Sequence, residues 1–288
     1  GVEATSVVTR FTTNSEAPDQ QFPIKLKLLN PADIGLFLID SCQEELRDSI
    51  QFLKTEEIDV ELQAIAAQYE NSAFTQSYLI EDQMLDVKDY LEDYYKNSQL
   101  NVELKDSKFW DIIPGLISKV PQNEWVNVFQ LFWNKIPAIN AIFSGLIQEL
   151  SKVEFKTEVF CKFKAVLRKH GTLLDVNRLY MLSNAREAVN EAGEDYESQI
   201  EVQYKKGDTL TSKIVDKSLF CALTAEVVFE VDAALVNYKP FLQQLDLLDF
   251  PGARARKEIN VEVLDEEISN LILRGKVAYI FNKYSSNH

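Results

Sequence analysis

The sequence has 288 residues, of which 46% are hydrophobic and 26% are charged, and its formal net charge is −15. This length suits one large domain or two smaller ones, and the composition excludes disordered, collagen-like and disulfide-scaffold proteins. With only 9 glycines and 8 prolines, a loop-rich all-β chain is disfavoured. Because a strongly acidic chain repels phosphate, we expect no nucleic-acid partner.

The three cysteines, Cys42, Cys161 and Cys221, lie far apart among apolar neighbours, and no Cys-x-x-Cys pair occurs. This pattern predicts buried, reduced thiols and therefore a reducing, cytoplasmic compartment. No apolar run reaches the roughly 18 residues that a membrane helix needs, so we expect no transmembrane segment.

In the N-terminal part, Phe22–Leu29 alternates apolar and basic residues and predicts a strand. Asn30 and Pro31 then supply a helix cap and a first helical residue. Apolar residues recur at helical spacing from Ile39 to Leu53, which predicts an amphipathic helix of about five turns.

The next region is acidic and helical. Between Asp40 and Asp106 there are 17 Asp or Glu residues against 5 Lys or Arg residues, a net charge of −12. Helical spacing predicts one helix at Glu81–Lys96 and another from Pro137, with an aromatic core between them that contains Trp125 and Trp133. The acidic excess is either the solvated face of these helices or a surface for a basic protein partner.

After Gly193 the period changes to that of strands. We predict a hairpin over 198–215, a half-exposed strand at Ala225–Val231, a buried strand at Leu245–Phe250, a helix from Val261 and a last strand at Val277–Phe281. The expected fold is mixed α/β. We expect residues 1–29 and 198–288 to form a partial sheet domain and residues 30–197 to form an inserted helical subdomain.

The segment Leu247-Leu-Asp249-Phe-Pro-Gly252 ends a predicted strand. In P-loop GTPases, a carboxylate at this place holds a Mg²⁺-bound water, and a glycine three residues later lets its backbone N–H approach the γ-phosphate. Thr9 precedes the Lys/Leu strand, where a switch-I hydroxyl would bind Mg²⁺. The alternatives are an ordinary Pro-Gly turn and a polar residue of the N-terminal segment.

The motif Gly-x-x-x-x-Gly-Lys-Ser/Thr does not occur in the sequence. This loop supplies the ring of backbone N–H groups and the lysine that hold the β- and γ-phosphates. We therefore expect the chain by itself to hold no cofactor and to bind GTP without useful affinity.

Taken together, six segments resemble the family of putative bacterial virulence factors, large proteins with a dynamin-like P-loop GTPase module. They are Glu3–Phe11, Phe22–Leu29, Asp86–Leu91, Ala222–Glu226, Leu247–Arg256 and Leu273–Phe281. The resemblance implies that the chain is an internal fragment, beginning just after the phosphate-binding loop and inactive alone. It also implies a bacterial cytoplasmic protein, although secretion as an effector is compatible with the sequence.

By the same resemblance, Thr9 would be the switch-I ligand of Mg²⁺, Asp249 would hold the ion through water, and Gly252 would contact the γ-phosphate. Arg254 and Arg256 would lie in switch II. GTP and Mg²⁺ would then be the cofactors of the intact parent protein, which would hydrolyse GTP.

The competing hypothesis is an acidic helical module that binds a protein partner and has no nucleotide chemistry. The two hypotheses differ in geometry. A GTPase-like sheet predicts that the strands at Phe22–Leu29 and Leu245–Asp249 are neighbours, with Thr9 and Asp249 at one edge. An interaction module gives these strands no reason to meet.

Overall fold

The computed structural model describes residues 7–166, 199–252 and 256–286. Seven strands form one open mixed sheet in the order β5-β4-β3-β2-β6-β1-β7. The strands are β1 (Val8–Thr12), β2 (Ile24–Leu28), β3 (Glu158–Cys161), β4 (Gln199–Lys206), β5 (Thr209–Asp216), β6 (Thr224–Glu230) and β7 (Leu247–Asp249). The predicted mixed α/β fold is thus confirmed.

Strand β6 is the centre of the topology. It pairs with β1 in parallel and with β2 antiparallel, so it lies between two strands that are close in sequence. The short strand β7 pairs antiparallel with the other side of β1. The predicted contact between the Phe22–Leu29 and Leu245–Asp249 strands is therefore wrong, because β6 and β1 separate them.

The predicted hairpin is confirmed as β4 and β5, which pair from Gln199 with Asp216 to Lys206 with Thr209. Gly207 occupies the turn with φ of +59°, in the left-handed region where a side chain is unfavourable.

Three other strand predictions differ from the structure. Strand β6 is mostly buried rather than half-exposed, and the side chain of Glu226 on its predicted polar face is covered by its ion-pair partners. Only Leu247–Asp249 of the Leu245–Phe250 run forms a strand, and it is a partly exposed edge. Val277–Phe281 is helical, since short apolar runs fit buried helices as well as strands. In addition, β3 arises within the range 30–197 that we expected to be helical.

The helices are α1 (Pro31–Glu45), α2 (Thr55–Tyr69), α3 (Glu81–Tyr94), α4 (Gln99–Asp106), α5 (Phe109–Leu116), α6 (Trp125–Phe129), α7 (Pro137–Ser151), α8 (Lys217–Leu223), α9 (Ala233–Tyr238) and α10 (Leu264–Ser286). The predicted starts at Pro31, Glu81 and Pro137 are confirmed. The first helix is shorter than predicted, because the chain turns after Glu45, where Ser49 Oγ donates to the Leu46 carbonyl.

The chain divides into two compact units. The sheet unit comprises the described residues of 1–30, 149–255 and 268–288, and the helical unit comprises residues 31–148 and 256–267. Among the described residues, no helix has the length and apolar character required to cross a membrane.

An aromatic core fills the helical unit, as predicted. Phe129 stacks on Phe143 with ring centroids 4.7 Å apart and also contacts Trp133 and Phe132. Its ring lies against Gly35 of α1, so closely that a Cβ at Gly35 would come within 2.1 Å of it. The close approach of α1 therefore depends on the absence of a side chain at position 35.

Candidate functional site

Thr9 and Asp249 lie opposite each other at one border of the sheet. They are register partners in the antiparallel pair of β1 and β7. Because paired residues project from the same face of a sheet, the hydroxyl and the carboxylate emerge on one side. Thr9 is nearly buried, whereas Asp249 is exposed.

Gly252 follows β7 in an exposed position. A Cβ added there would meet no atom within 4 Å, and the residue is not in the left-handed region. The fold itself therefore does not require glycine at position 252. The space around the residue would admit the close approach of a ligand, which is the role that the sequence motif predicts.

The opposite face of the same strands carries a buried ion network centred on Glu226 of β6, which is 0% exposed. Arg10 Nε donates to Glu226 Oε1 at 2.5 Å, and its Nη2 donates to Oε2 at 3.2 Å. Lys27 Nζ lies 3.0 Å from Oε1, and the hydroxyl of Tyr284 on α10 also donates to this carboxylate. A buried carboxylate with three donors is fully paired, as burial of charge requires.

These contacts set the protonation state of the network. Burial alone raises the pKa of Glu226, but the hydrogen bonds from Arg10, Tyr284 and Lys27 outweigh burial and hold the pKa below its ordinary value. Burial and the Glu226 carboxylate raise the pKa of Tyr284. Glu226 is thus an ionised structural anchor and a poor general base.

Strand β7 is tied to this network at both ends. Arg10 Nη1 donates to Asp246 Oδ2 at 2.8 Å just before the strand. Just after it, the ring of Phe250 packs edge-on against Tyr284 and Phe281, with centroids 5.6 Å and 6.3 Å away. The network therefore positions the strand that carries Asp249.

Of the two arginines assigned to switch II, Arg254 lies outside the described residues. Arg256 is bound within the helical unit, where its guanidinium pairs with Asp40 and with Glu45, the latter at 3.1 Å. Asp40 also accepts hydrogen bonds from the hydroxyls of Tyr90, at 3.0 Å, and Tyr95. Arg256 thus has a structural role in a second buried cluster.

The described residues contain no group of three or more His, Cys, Asp and Glu side chains able to hold a metal ion. Thr9 and Asp249 offer two oxygen ligands between them, which suits a hard ion such as Mg²⁺ that keeps several waters. The cysteines are buried and free, as predicted. Burial raises the pKa of Cys161 to about 12, so this thiol is a poor nucleophile.

Sequence reasoning missed the buried carboxylates at the centres of the two clusters, Glu226 and Asp40. Both stand inside mainly apolar segments, Ala225–Val231 and Leu36–Cys42. An acidic residue in such a segment indicates a buried ion pair. The local pattern does not identify the partner, because Arg10 is 216 residues away from Glu226 in the sequence.

No curated protein and no solved structure matches the chain. One family model matches it over residues 1–288, under the description "Putative bacterial virulence factor". The match spans the whole sequence and includes all six segments that carry the resemblance seen in the sequence. The chain therefore belongs to the putative bacterial virulence factor family.

Proposed function

We propose that the chain forms part of a dynamin-like GTPase module in which Thr9 and Asp249 bind Mg²⁺ at the border of the sheet. The observation that supports this most is the register pairing of Thr9 with Asp249 across β1 and β7. The two residues were singled out from separate motifs, 240 positions apart in sequence, and a shared metal site requires them to be neighbours.

In this proposal each residue has a defined task. The Thr9 hydroxyl binds the ion directly, Asp249 orients a metal-bound water, and the backbone N–H of Gly252 points to the γ-phosphate. Bound Mg²⁺ would stabilise the charge that develops on the transferred phosphoryl group. The phosphate-binding loop is absent from these 288 residues, so another part of the parent protein would supply it.

The Glu226 network supports the proposal by its position. Metal ligands must be held within a fraction of an ångström to be effective. Asp249 lies on a strand of only three residues, which pairing alone would hold weakly. The Arg10–Asp246 ion pair and the contact of Phe250 with Tyr284 provide the missing rigidity.

The test compares variants of the parent protein in a GTP turnover assay with Mg²⁺. Asp249→Asn and Thr9→Ala should each lower turnover by about 100-fold or more, because the first removes the charge that orients the metal-bound water and the second removes a metal ligand. The matched control is Asp208→Asn, in the exposed hairpin turn of the same unit, which should keep full turnover. Parallel melting curves separate loss of chemistry from loss of folding.

Retained turnover in Asp249→Asn, with a lowered melting temperature, would identify Asp249 as a turn residue and overturn the proposal. The same assay with ATP distinguishes the nucleotide. Turnover of ATP but not of GTP would show that the module is an ATPase and not a GTPase.

A second candidate function is an acidic module that binds a basic protein partner in the bacterial cytoplasm. It is supported by the outer face of α3, where five carboxylates are exposed: Glu81, Asp82, Asp86, Asp89 and Asp93. The three free, buried cysteines are compatible with a reducing compartment.

A further inference from the structure

A groove of about 510 Å³ opens in the helical unit, at the end of α1 and beside the connection between α3 and α4. Phe52, Tyr94 and Tyr95 form its aromatic part. The volume lies within the range of pockets that bind small molecules or short peptide segments. The hydroxyl of Tyr95 is held by Asp40, so its ring is a fixed wall of the groove.

Gln43 also lines this groove and is only 2% exposed. Among the described residues, none accepts a hydrogen bond from its Nε2 atom. A buried amide N–H without an acceptor is unfavourable, so this group calls for a hydrogen-bond partner. A carbonyl oxygen brought by a ligand would satisfy this donor.

Charged groups of both signs line the groove. The carboxylates are Glu44 and Asp93, and the cations are Arg47 and Lys96. Arg47 pairs with the exposed Asp48 at 3.4 Å. Since the surrounding segment from Asp40 to Asp106 carries a net charge of −12, the field at the groove favours a cation.

The aromatic rings favour the same kind of ligand. Tyr94 is 47% exposed and presents its ring at the groove. A guanidinium group can stack on such a ring while it pairs with a carboxylate, because arginine is planar and weakly hydrated.

We propose that this groove binds an arginine-bearing segment of a partner protein. The guanidinium contacts the ring of Tyr94 and the carboxylates of Glu44 and Asp93, and a backbone carbonyl of the segment accepts the hydrogen bond from Gln43. The proposal rests on the second candidate function, the acidic interaction module, and is independent of nucleotide chemistry.

The test uses the isotope-labelled full chain and two synthetic probes that differ at one residue and carry opposite charges. These are the capped tetrapeptides acetyl-Gly-Arg-Gly-Gly-amide and acetyl-Gly-Glu-Gly-Gly-amide. The arginine peptide should shift the NMR resonances of the Gln43 side-chain amide and of Tyr94 and Tyr95. Its dissociation constant should be on the order of 1 mM, typical of so small a ligand, and the glutamate peptide should leave these resonances unchanged.

Two substitutions and a matched control locate the site. Asp93→Asn should weaken binding of the arginine peptide about fivefold, whereas Asp82→Asn, an exposed aspartate on α3 outside the groove lining, should change it less than twofold. Gln43→Met should weaken binding of the arginine peptide, followed by the resonances of Tyr94 and Tyr95, without lowering the melting temperature, because it removes an unpaired donor and keeps the side-chain volume.

If Asp82→Asn and Asp93→Asn weaken binding of the arginine peptide equally, with shifts spread over the outer face of α3, the groove is not the binding site. The acidic interaction module would remain supported. The absence of any shift with the arginine peptide would overturn both. Preferential binding of the glutamate peptide would show that the groove selects anions, and would overturn the proposal as well.

Discussion

Arg10 joins Asp246 in an ion pair of 2.8 Å, one residue after Thr9 and three residues before Asp249. The same guanidinium holds the buried carboxylate of Glu226. The adjacent residues Thr9 and Arg10 of β1 thus project from opposite faces of the sheet. Arg10 fixes the position of β7 from one face, and Thr9 meets Asp249 on the other.

Glu226→Gln should destabilise the chain by about 3 kcal/mol, because it leaves Arg10 and Lys27 without their shared buried counter-charge. Urea unfolding followed by circular dichroism measures the change. The control is Glu201→Gln on β4, which breaks a half-exposed pair with Lys162 and should cost less than about 1 kcal/mol. The pKa of Glu226 is lowered in the folded state, so its contribution is present above its ordinary pKa of 4.5 and is lost as pH falls through the folded-state value. A Glu226→Gln variant as stable as the Glu201→Gln control would show that the network does not hold the sheet together.

Lys276 of α10 should make stability rise with pH in mildly alkaline solution. Its side chain is fully buried and donates to the Cys221 carbonyl at 2.6 Å, and burial lowers its pKa from 10.5 to about 8. Between pH 8 and 10.5 the unfolded chain therefore binds more protons than the folded chain, so unfolding becomes harder as pH increases.

The measurement is the free energy of urea unfolding at pH 7, 8, 9 and 10 for the wild type and for Lys276→Met. The wild type should gain stability across this range relative to the variant, which has no proton to lose at this position. Parallel pH profiles for the two proteins would contradict the lowered pKa of Lys276.

Gly35→Ala should destabilise the helical unit by about 1–3 kcal/mol, because the added methyl group would overlap the ring of Phe129. Gly115→Ala is the matched control. It is also a helical glycine, and a Cβ there meets nothing within 4 Å, so this substitution should stabilise the chain by up to about 1 kcal/mol. Thermal melting of the two variants should therefore give shifts of opposite sign. A shift of the same sign would mean that α1 moves away from Phe129 at little cost.

Gly252→Ala should leave the melting temperature unchanged, since the added Cβ has open space around it. If Gly252 contacts a γ-phosphate, the same variant should lose GTP turnover in the parent protein. Gly207→Ala should behave in the opposite way. It should destabilise the hairpin by about 1 kcal/mol, because alanine is strained at φ of +59°, and should leave turnover intact. Unchanged turnover in Gly252→Ala would remove the phosphate role of this residue.

Local pattern was sufficient for features that depend on neighbours in sequence. The period-two alternation predicted β2, the Gly-containing turn predicted the β4–β5 hairpin, and Pro31 and Pro137 marked helix starts. It failed where distant segments decide the outcome. Val277–Phe281 has the composition of a strand, yet it continues a helix whose apolar residues begin at Leu264.

The same limit applies to the candidate site. Thr9 and Asp249 were identified from residue type and spacing. They are register partners at the border of the sheet, but the expected contact between the Phe22–Leu29 and Leu245–Asp249 strands is wrong. The carboxylate of Glu226 was expected on an exposed strand face, because alternation alone shows a charged side chain but not the arginine and lysine that neutralise it. The roles of Thr9 and Asp249 in binding Mg²⁺ stay predictions.

The position of β6 between β1 and β2 has a consequence for synthesis on the ribosome. Strands β1 and β2 leave the ribosome before the strand that joins them, which follows about 200 residues later. At 5–20 residues per second, this interval lasts about 10–40 s. During that time β1 and the edge of β2 that pairs with β6 lack their native partner strand. The nascent chain should therefore depend on a chaperone that shields β1 and β2, and a truncation before Thr224 should aggregate through these strands.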